Sequence, residues 1–421
     1  MPISDRMESM KTVLFISPTG TFDNGAEISI FNLMRHLVKQ NYQVINIAPD
    51  LNQAQQSDYV QKCEKNGIIV DLFPALKWWW EEAPGGLPGT DIERSFYYRH
   101  TIGRLREKIQ SYHVDIVLTN TVNMFQGAVA AACEGIPHYW LIHEFPENEF
   151  SYYLEKMDFI DENSDGIFAV TGSLCATLSD KFSHHQVKPF TPFTEIQSSK
   201  LETGHKQRIV SVGRLTERKN QLELITAYQD LQHLDVELVF IGAWDEDYKV
   251  KCDTYIKKNK IEGISFTGQL AKPWEALTSQ DICVFTSQME TFGLVYVEAI
   301  LNGIPVILSE NPGHQSAYDL FKVGEIYQLG NISELSQMIQ QRLLNFDSLK
   351  ADALEQVDSL QNQYTVAKSY EQIIEAIDSP KAYRSKSIRH LANLLSTNEY
   401  KSRLSRLESK IRRKLRQYLK G

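Results

Sequence analysis

Two carboxylates stand eight residues apart in TSQMETFGLVYVEAILNGIPVIL, residues 286–308: Glu290 and Glu298. A spacing of eight does not make them neighbours on one helix face, which requires three or four. They belong to two pieces, Glu290 to a turn containing Gly293 and Glu298 to a helical stretch over 294–302. Within a helix a carboxylate can accept hydrogen bonds from a vicinal diol such as a ribose. The start of the same helix aims unpaired N–H groups at an anion, for which a phosphate is the natural occupant. The plain alternative is a solvated Glu298 and a Glu290 favoured by the helix dipole. A second charged pair follows similar logic. Arg214 stands one residue past a glycine, Gly213, and Lys219 opens the next helix. Five residues apart around a turn, a guanidinium fork and an ammonium can converge on a diphosphate, or they can simply face solvent. His143, followed by Glu144, lies just past the apolar run 139–142, where a histidine is either structural or aimed at a ligand. In PTGTFDNGAE, 18–27, Gly20 and Gly25 permit close backbone approach before a helix, as in any βα turn.

These residues must be positioned by strand ends, and the chain supplies them. Apolar runs at 11–17, 42–49, 67–73, 114–120, 137–143 and 166–170 alternate with helical segments such as 26–40, 91–111 and 124–134. Strands separated by helix-length segments imply a parallel, doubly wound sheet. A stretch rich in Pro, Thr and Ser, 189–204, reads as a linker. A second series follows at 207–213, 236–242, 263–268, 281–287, 305–309 and 325–329, after which the pattern is helical to 377. The expected division is a first α/β domain over 1–190, a linker over 191–204 and a second α/β domain over 205–365. A helix over 366–379 is expected to cross back, and a basic helical tail to occupy 380–421.

At 421 residues the chain has ample core, and 42% hydrophobic with 23% charged residues is ordinary for a globular protein. The net charge of −9 hides an asymmetry: residues 380–421 hold 13 Lys and Arg against 2 Asp and Glu, so the preceding body carries −20. An acidic body argues against a nucleic-acid groove. Along 401–420, Leu404, Leu407, Ile411, Leu415 and Tyr418 form a narrow apolar stripe with Arg403, Arg406, Lys410, Arg413 and Lys414 off it. Such a segment suits an anionic membrane surface or packs on the acidic body. Trp78, Trp79 and Trp80 in the Gly/Pro-rich stretch 77–89 offer a second membrane contact or partial burial under a loop. Five dispersed cysteines, no apolar leader and no transmembrane-length stretch suggest a reduced, cytoplasmic chain, peripheral at the inner membrane face if it meets a membrane at all. Trp244-Asp245-Glu246-Asp247 resembles an acid-x-acid metal motif superficially, but carboxylates at a helix start explain it better, and no metal is expected. His184-His185 lacks a partner cluster and is expected at the surface.

The string S-x-x-E-T-F-G-L-x-x-x-E-A-x-x-x-G-x-P-V, 287–306, closely resembles the donor-site motif of the retaining GT-B glycosyltransferases of family 4, also called glycosyltransferase group 1. G-R-L-x-x-x-K at 213–219 matches the same family without gaps, while Asn24-Gly25-Ala26-Glu27 stands where it commonly has Gly-Gly-x-Glu. The resemblance covers about 11–375. It implies two Rossmann-like doubly wound domains facing across a cleft, and retaining, metal-independent transfer of a sugar from a nucleoside diphosphate sugar, taken as UDP-linked. The acceptor would be a hydroxyl of a glycan, a lipid-linked glycan or a protein, in cell-surface polysaccharide or glycoconjugate synthesis. No cofactor beyond the donor is implied. Residue by residue, Arg214 and Lys219 would act on the leaving diphosphate, and Glu290 and His143 on the transferred sugar. Gly25, Gly213, Phe292, Gly293 and Leu294 would surround the phosphates, Gln269 and Leu270 the base, and Glu298 the ribose. The alternatives are a nucleotide-sugar epimerase or phosphorylase of the same fold, and a non-catalytic partner of another glycosyltransferase.

Overall fold

The structure, a computed structural model, describes residues 10–51, 54–74, 90–195, 201–380 and 383–386. The expectations for Trp78, Trp79 and Trp80 and for the amphipathic stretch 401–420 fall outside the described residues. The first sheet consists of β1 (Thr12–Ile16), β2 (Gln43–Pro49), β3 (Ile69–Phe73), β4 (Ile116–Asn120), β5 (His138–Ile142), β6 (Gly166–Val170) and β7 (Lys188–Phe190), whose five inner strands are apolar runs buried on both faces while the edge strands β3 and β7 are only partly buried. All pairings are parallel, in the order β3-β2-β1-β4-β5-β6-β7. A second parallel sheet holds β8 (Arg208–Val212), β9 (Glu237–Ile241), β10 (Ile264–Phe266), β11 (Asp281–Phe285), β12 (Val306–Ser309) and β13 (Glu325–Tyr327), ordered β10-β9-β8-β11-β12-β13. The fold is thus two doubly wound α/β domains.

The order of winding locates the useful edge. In each sheet the chain reverses direction of growth once, between β1 and β4 and between β8 and β11. Loops leaving adjacent strands there turn to opposite faces of the sheet and open a crevice at the carboxyl ends of the strands. The candidate residues Gly25, Gly213, Arg214, Lys219, Glu290 and Gly293 all lie in or beside loops that follow β1, β8 and β11.

After helix Phe346–Gln363 the chain returns to the first domain. Thr191 N–H donates to Ser369 O at 2.9 Å, Tyr139 OH to Ala376 O at 2.9 Å and Tyr370 OH to Ser29 O at 2.7 Å. Farther on, Lys386 forms a buried pair with Asp165 at 2.5 Å, and Tyr383 OH donates to Ala132 O at 3.0 Å. His184 lies exposed at the surface, as expected, and His185 is partly buried; both place Nδ1 3.0 Å from the Asp161 carboxylate, which holds their loop against helix Met157–Asn163. All five cysteines are free, and among the described residues no helix is long and apolar enough to cross a membrane.

Candidate functional site

The loops after β8 and β11 form one unit. Gly213 has φ +141°, and a Cβ placed on Gly242 would stand 2.2 Å from Gly213 O, so the two strand ends approach closely enough to exclude a side chain. Thr216 caps the short turn Glu217–Lys219 by accepting from Lys219 N–H. Thr286 Oγ1 donates to Lys219 O at 3.1 Å and Asn220 O at 2.9 Å, and Gln288 N–H donates to Arg218 O at 2.8 Å. These bonds bring Lys219 to Glu290 across 71 residues of chain: Lys219 Nζ lies 2.5 Å from Glu290 Oε1, and Arg218 Nη1 lies 3.4 Å from Oε2. Glu290 is 9% exposed in its side chain. Burial alone would raise its pKa, but Lys219, Arg218 and His314 outweigh it and hold the carboxyl down to about 2. Arg214 is exposed and, among the described residues, makes no side-chain hydrogen bond or ion pair.

Beyond Glu290 the chain turns through Gly293, φ +87°, into helix Leu294–Leu301, whose first N–H groups have no partner within the helix. Phe292 points its ring into the core beside Phe321, 6.4 Å between centroids, so only its backbone belongs to the site. Helix Pro312–Phe321 closes over the turn, and a Cβ on Gly313 would fall 2.3 Å from Glu290 O.

The first domain meets this helix start directly. Gly25 opens helix Gly25–Lys39, and a Cβ there would lie 3.1 Å from Leu294 Cδ1. Glu27, fully buried, folds back to accept from Thr19 N–H at 2.8 Å, Gly20 N–H at 2.9 Å and Thr19 Oγ1 at 2.9 Å, so it shapes the loop. His143 follows β5, stands edge-on to Phe190 at 5.1 Å, and has a buried Nε2 without a hydrogen-bond partner among the described residues. Burial lowers its pKa to about 3, so the ring is neutral. At the end of the neighbouring β4, Asn120 Oδ1 is likewise buried and unpartnered, and Thr121 adopts φ +72°, an outlier for a β-branched residue.

Glu298 is half-buried on the second turn of helix Leu294–Leu301. Its Oε1 accepts from Thr194 Oγ1 at 2.5 Å and its Oε2 from Trp274 Nε1 at 2.8 Å, while burial raises its pKa. Each oxygen retains a lone pair for a further donor. Gln269 and Leu270 are exposed past β10, next to Gly268, whose notional Cβ lies 3.8 Å from the Trp244 ring. Asp245 caps helix Glu246–Asn259, accepting from Tyr248 N–H at 3.1 Å.

The loops therefore bring together Gly25, Gly293, Leu294, Glu290 and Lys219, with Gly213 and Arg214 at the end of the adjacent β8. Gln269 and Leu270 lie farther along the second sheet, past β10. Sequence reasoning missed His314, Asn120, Thr194 and Trp274. Asn120 at a strand end and His314 behind Pro312-Gly313 were available signals, but each is an isolated polar residue whose importance depends on what surrounds it.

Two family descriptions match the sequence: Glycosyl transferases group 1 over residues 192–356 and Glycosyltransferase Family 4 over 23–189. None of the curated protein sequences matches significantly. Among solved structures, a glycosyltransferase from Rickettsia africae superimposes with a TM-score of 0.71 at 15% identity, covering 89% of this chain and 100% of that one. Anabaena Alr3699/HepE, in complex with UDP and glucose, gives 0.69 at 17% identity over 88% and 100%. A sucrose-phosphate synthase from Thermosynechococcus elongatus gives 0.68 at 16% over 88% and 100%. Two parallel-sheet domains of this topology, each carrying its matching family pattern, mean that the chain belongs to the GT-B glycosyltransferases of the group 1, family 4 type.

Proposed function

We propose that this glycosyltransferase takes a UDP-linked sugar as donor and transfers it, with retention at the anomeric carbon and without a divalent ion, to a hydroxyl acceptor. The observation that carries this reading is the positive charge gathered at the crevice of the second domain: Lys219, Arg218, the exposed Arg214 and the start of helix Leu294–Leu301 surround the Glu290 turn. The UDP and glucose held by the Anabaena structure support a UDP donor.

In the reaction, the bond from the anomeric carbon to the diphosphate oxygen breaks as the acceptor oxygen approaches on the same face. The departing phosphate oxygen takes the acceptor proton, which balances the step. Arg214, Lys219 and the helix N–H groups stabilise the charge growing on the diphosphate. Glu298 holds the ribose, and Glu290 and His143 hold the transferred sugar. Glu290, ionised and paired, does not serve as a proton donor, so the two-carboxylate logic of glycoside hydrolysis does not apply. The acceptor belongs to a cell-surface polysaccharide or glycoconjugate, and the basic segment 381–420 brings the enzyme to an anionic leaflet.

The test is hydroxyl-acceptor-dependent release of UDP from UDP-glucose, UDP-galactose or UDP-N-acetylglucosamine, with and without excess chelator, followed by NMR assignment of the product anomer. Activity that vanishes in chelator and returns with Mg²⁺ or Mn²⁺, or an inverted product, would overturn the mechanism. Sedimentation with anionic and neutral vesicles, comparing the full chain with a 1–379 truncation, tests the membrane reading; equal sedimentation of both would sink it.

A further inference from the structure

The first turn of helix Pro312–Phe321 holds a histidine whose immediate surroundings satisfy only half of it. His314 is fully buried. Its Nδ1 lies 2.9 Å from Ser309 O, 2.9 Å from Asn311 Nδ2 and 3.2 Å from Ser309 Oγ. A carbonyl oxygen can only accept, and the Asn311 amide hydrogens have the Ser287 carbonyl at 2.9 Å and the Ser309 hydroxyl at 3.3 Å to serve. Nδ1 therefore carries the ring proton and donates to Ser309 O. Nε2 keeps its lone pair, is buried, and has no hydrogen-bond partner among the described residues. Such an atom asks for an explanation, because a buried acceptor without a donor is costly.

The orphaned edge faces the site. A Cβ on Gly293 would stand 3.1 Å from His314 Cδ2 and 3.5 Å from Nε2, so the ring lies over the N-cap of the eight-residue helix Leu294–Leu301. Two residues past His314, helix Pro312–Phe321 touches the first domain, where Ser173 N–H donates to Ser316 Oγ at 3.0 Å. Ser173 follows β6, and β6 is the sheet neighbour of β5, whose end carries His143 with its own unpartnered Nε2.

We propose that His314 Nε2 accepts a hydrogen bond from a hydroxyl of the transferred sugar and is a specificity-determining contact of the donor site; this rests on the nucleotide-sugar reading above. A neutral imidazole lone pair matches an O–H donor and repels a phosphate oxygen, which offers lone pairs only. Within a nucleoside diphosphate sugar, hydroxyl donors come from the two sugar rings, and the ribose belongs to Glu298. Burial keeps the His314 ring neutral, with its pKa lowered to about 4, although Glu290 acts in the opposite sense and Lys219 in the same one.

Two substitutions separate the ring's two edges. His314→Asn can still donate an N–H toward Ser309 O but removes the acceptor at Nε2, whereas His314→Gln offers an amide near that position. Calorimetry on the full chain compares UDP with the tightest binder among UDP-glucose, UDP-galactose and UDP-N-acetylglucosamine. His314→Asn is expected to weaken the nucleotide sugar roughly 3- to 10-fold while leaving UDP within about twofold, with His314→Gln intermediate. A donor lacking one sugar hydroxyl should bind wild type more weakly than the parent donor and bind His314→Asn no more weakly than the parent donor does. Equal weakening of UDP and the nucleotide sugar would place His314 at the phosphates and overturn the proposal; unchanged affinity for both would make the histidine purely structural. Should His314→Asn not fold, a changed ratio of nucleotide-sugar to UDP affinity in His314→Gln supports the proposal and an unchanged ratio overturns it. A wild-type chain that binds none of these ligands removes the donor reading itself, and this inference with it.

Discussion

Replacing Lys219 by Met separates the electrostatics of the fold from those of the reaction. In the structure its ammonium sits 2.5 Å from Glu290 Oε1, with side-chain exposures of 18% and 9%. Removing one partner of a buried ion pair costs ~3–5 kcal/mol, because the other charge stays behind without compensation. Here Arg218 remains 3.4 Å from Oε2 but is half exposed, so it recovers part of that loss and ~2–3 kcal/mol is the expected destabilisation. Urea unfolding followed by tryptophan fluorescence measures it. Turnover should fall by at least ~100-fold, the scale of losing one donor from a preorganised anion site. The double variant Lys219→Met/Glu290→Gln removes the stranded charge and should regain most of the stability, by the coupling expected of residues in contact, while its turnover stays low. A single variant as active as wild type would refute the diphosphate role. A single variant as stable as wild type would refute the energetic reading of the pair, and turnover that returns with stability in the double variant would show that only the fold had been damaged.

Arg214→Ala is the counterpart, since Arg214 is exposed and has no side-chain partner among the described residues: turnover falls by at least ~100-fold while unfolding shifts by no more than ~0.5 kcal/mol, and unchanged turnover would remove it from the mechanism. In Glu298→Gln the amide oxygen can still accept from Trp274 and the amide N–H₂ can donate to Thr194, so folding is preserved. UDP affinity should nonetheless weaken by ~1.5–3 kcal/mol through loss of a charged acceptor, and equal affinity by calorimetry would put the ribose elsewhere. His138, buried against the Thr119 hydroxyl at 2.8 Å with Lys386 nearby, has its pKa lowered to about 3 by burial and then by Lys386. Because the folded value lies below the unfolded one, the unfolded chain binds the extra proton as pH falls. From pH ~6.5 down to ~4, wild type should therefore lose stability relative to His138→Gln by up to ~1.4 kcal/mol per pH unit. A stability difference between the two that does not change with pH would contradict this.

Both doubly wound sheets were legible from local pattern, because a parallel strand buried on both faces must be a short continuous apolar run and the segments between are long enough for helices. Helix Asp91–Ser111 and the strand pair flanking 286–305 are local patterns of this kind. Local pattern also delivered the spacing of Arg214 and Lys219 and, separately, of Glu290, Gly293 and Glu298, each a property of one strand–loop–helix passage. What it could not express was the meeting of loops. Lys219 and Glu290 become an ion pair only because β8 and β11 are neighbours at the reversal of the second sheet, which also decides that Thr286 holds the Lys219 turn. Gly25 reaches Leu294, and Thr194 reaches Glu298, only after the two domains are packed together. His314 and His184 illustrate the limit from both sides. One histidine reads as unremarkable in sequence and proves to be a buried ring with an orphaned acceptor over Gly293, while the other pairs with a carboxylate 23 residues earlier in the chain. Burial and the direction of an unpaired atom are set by neighbours distant in sequence, so tertiary structure alone decides them.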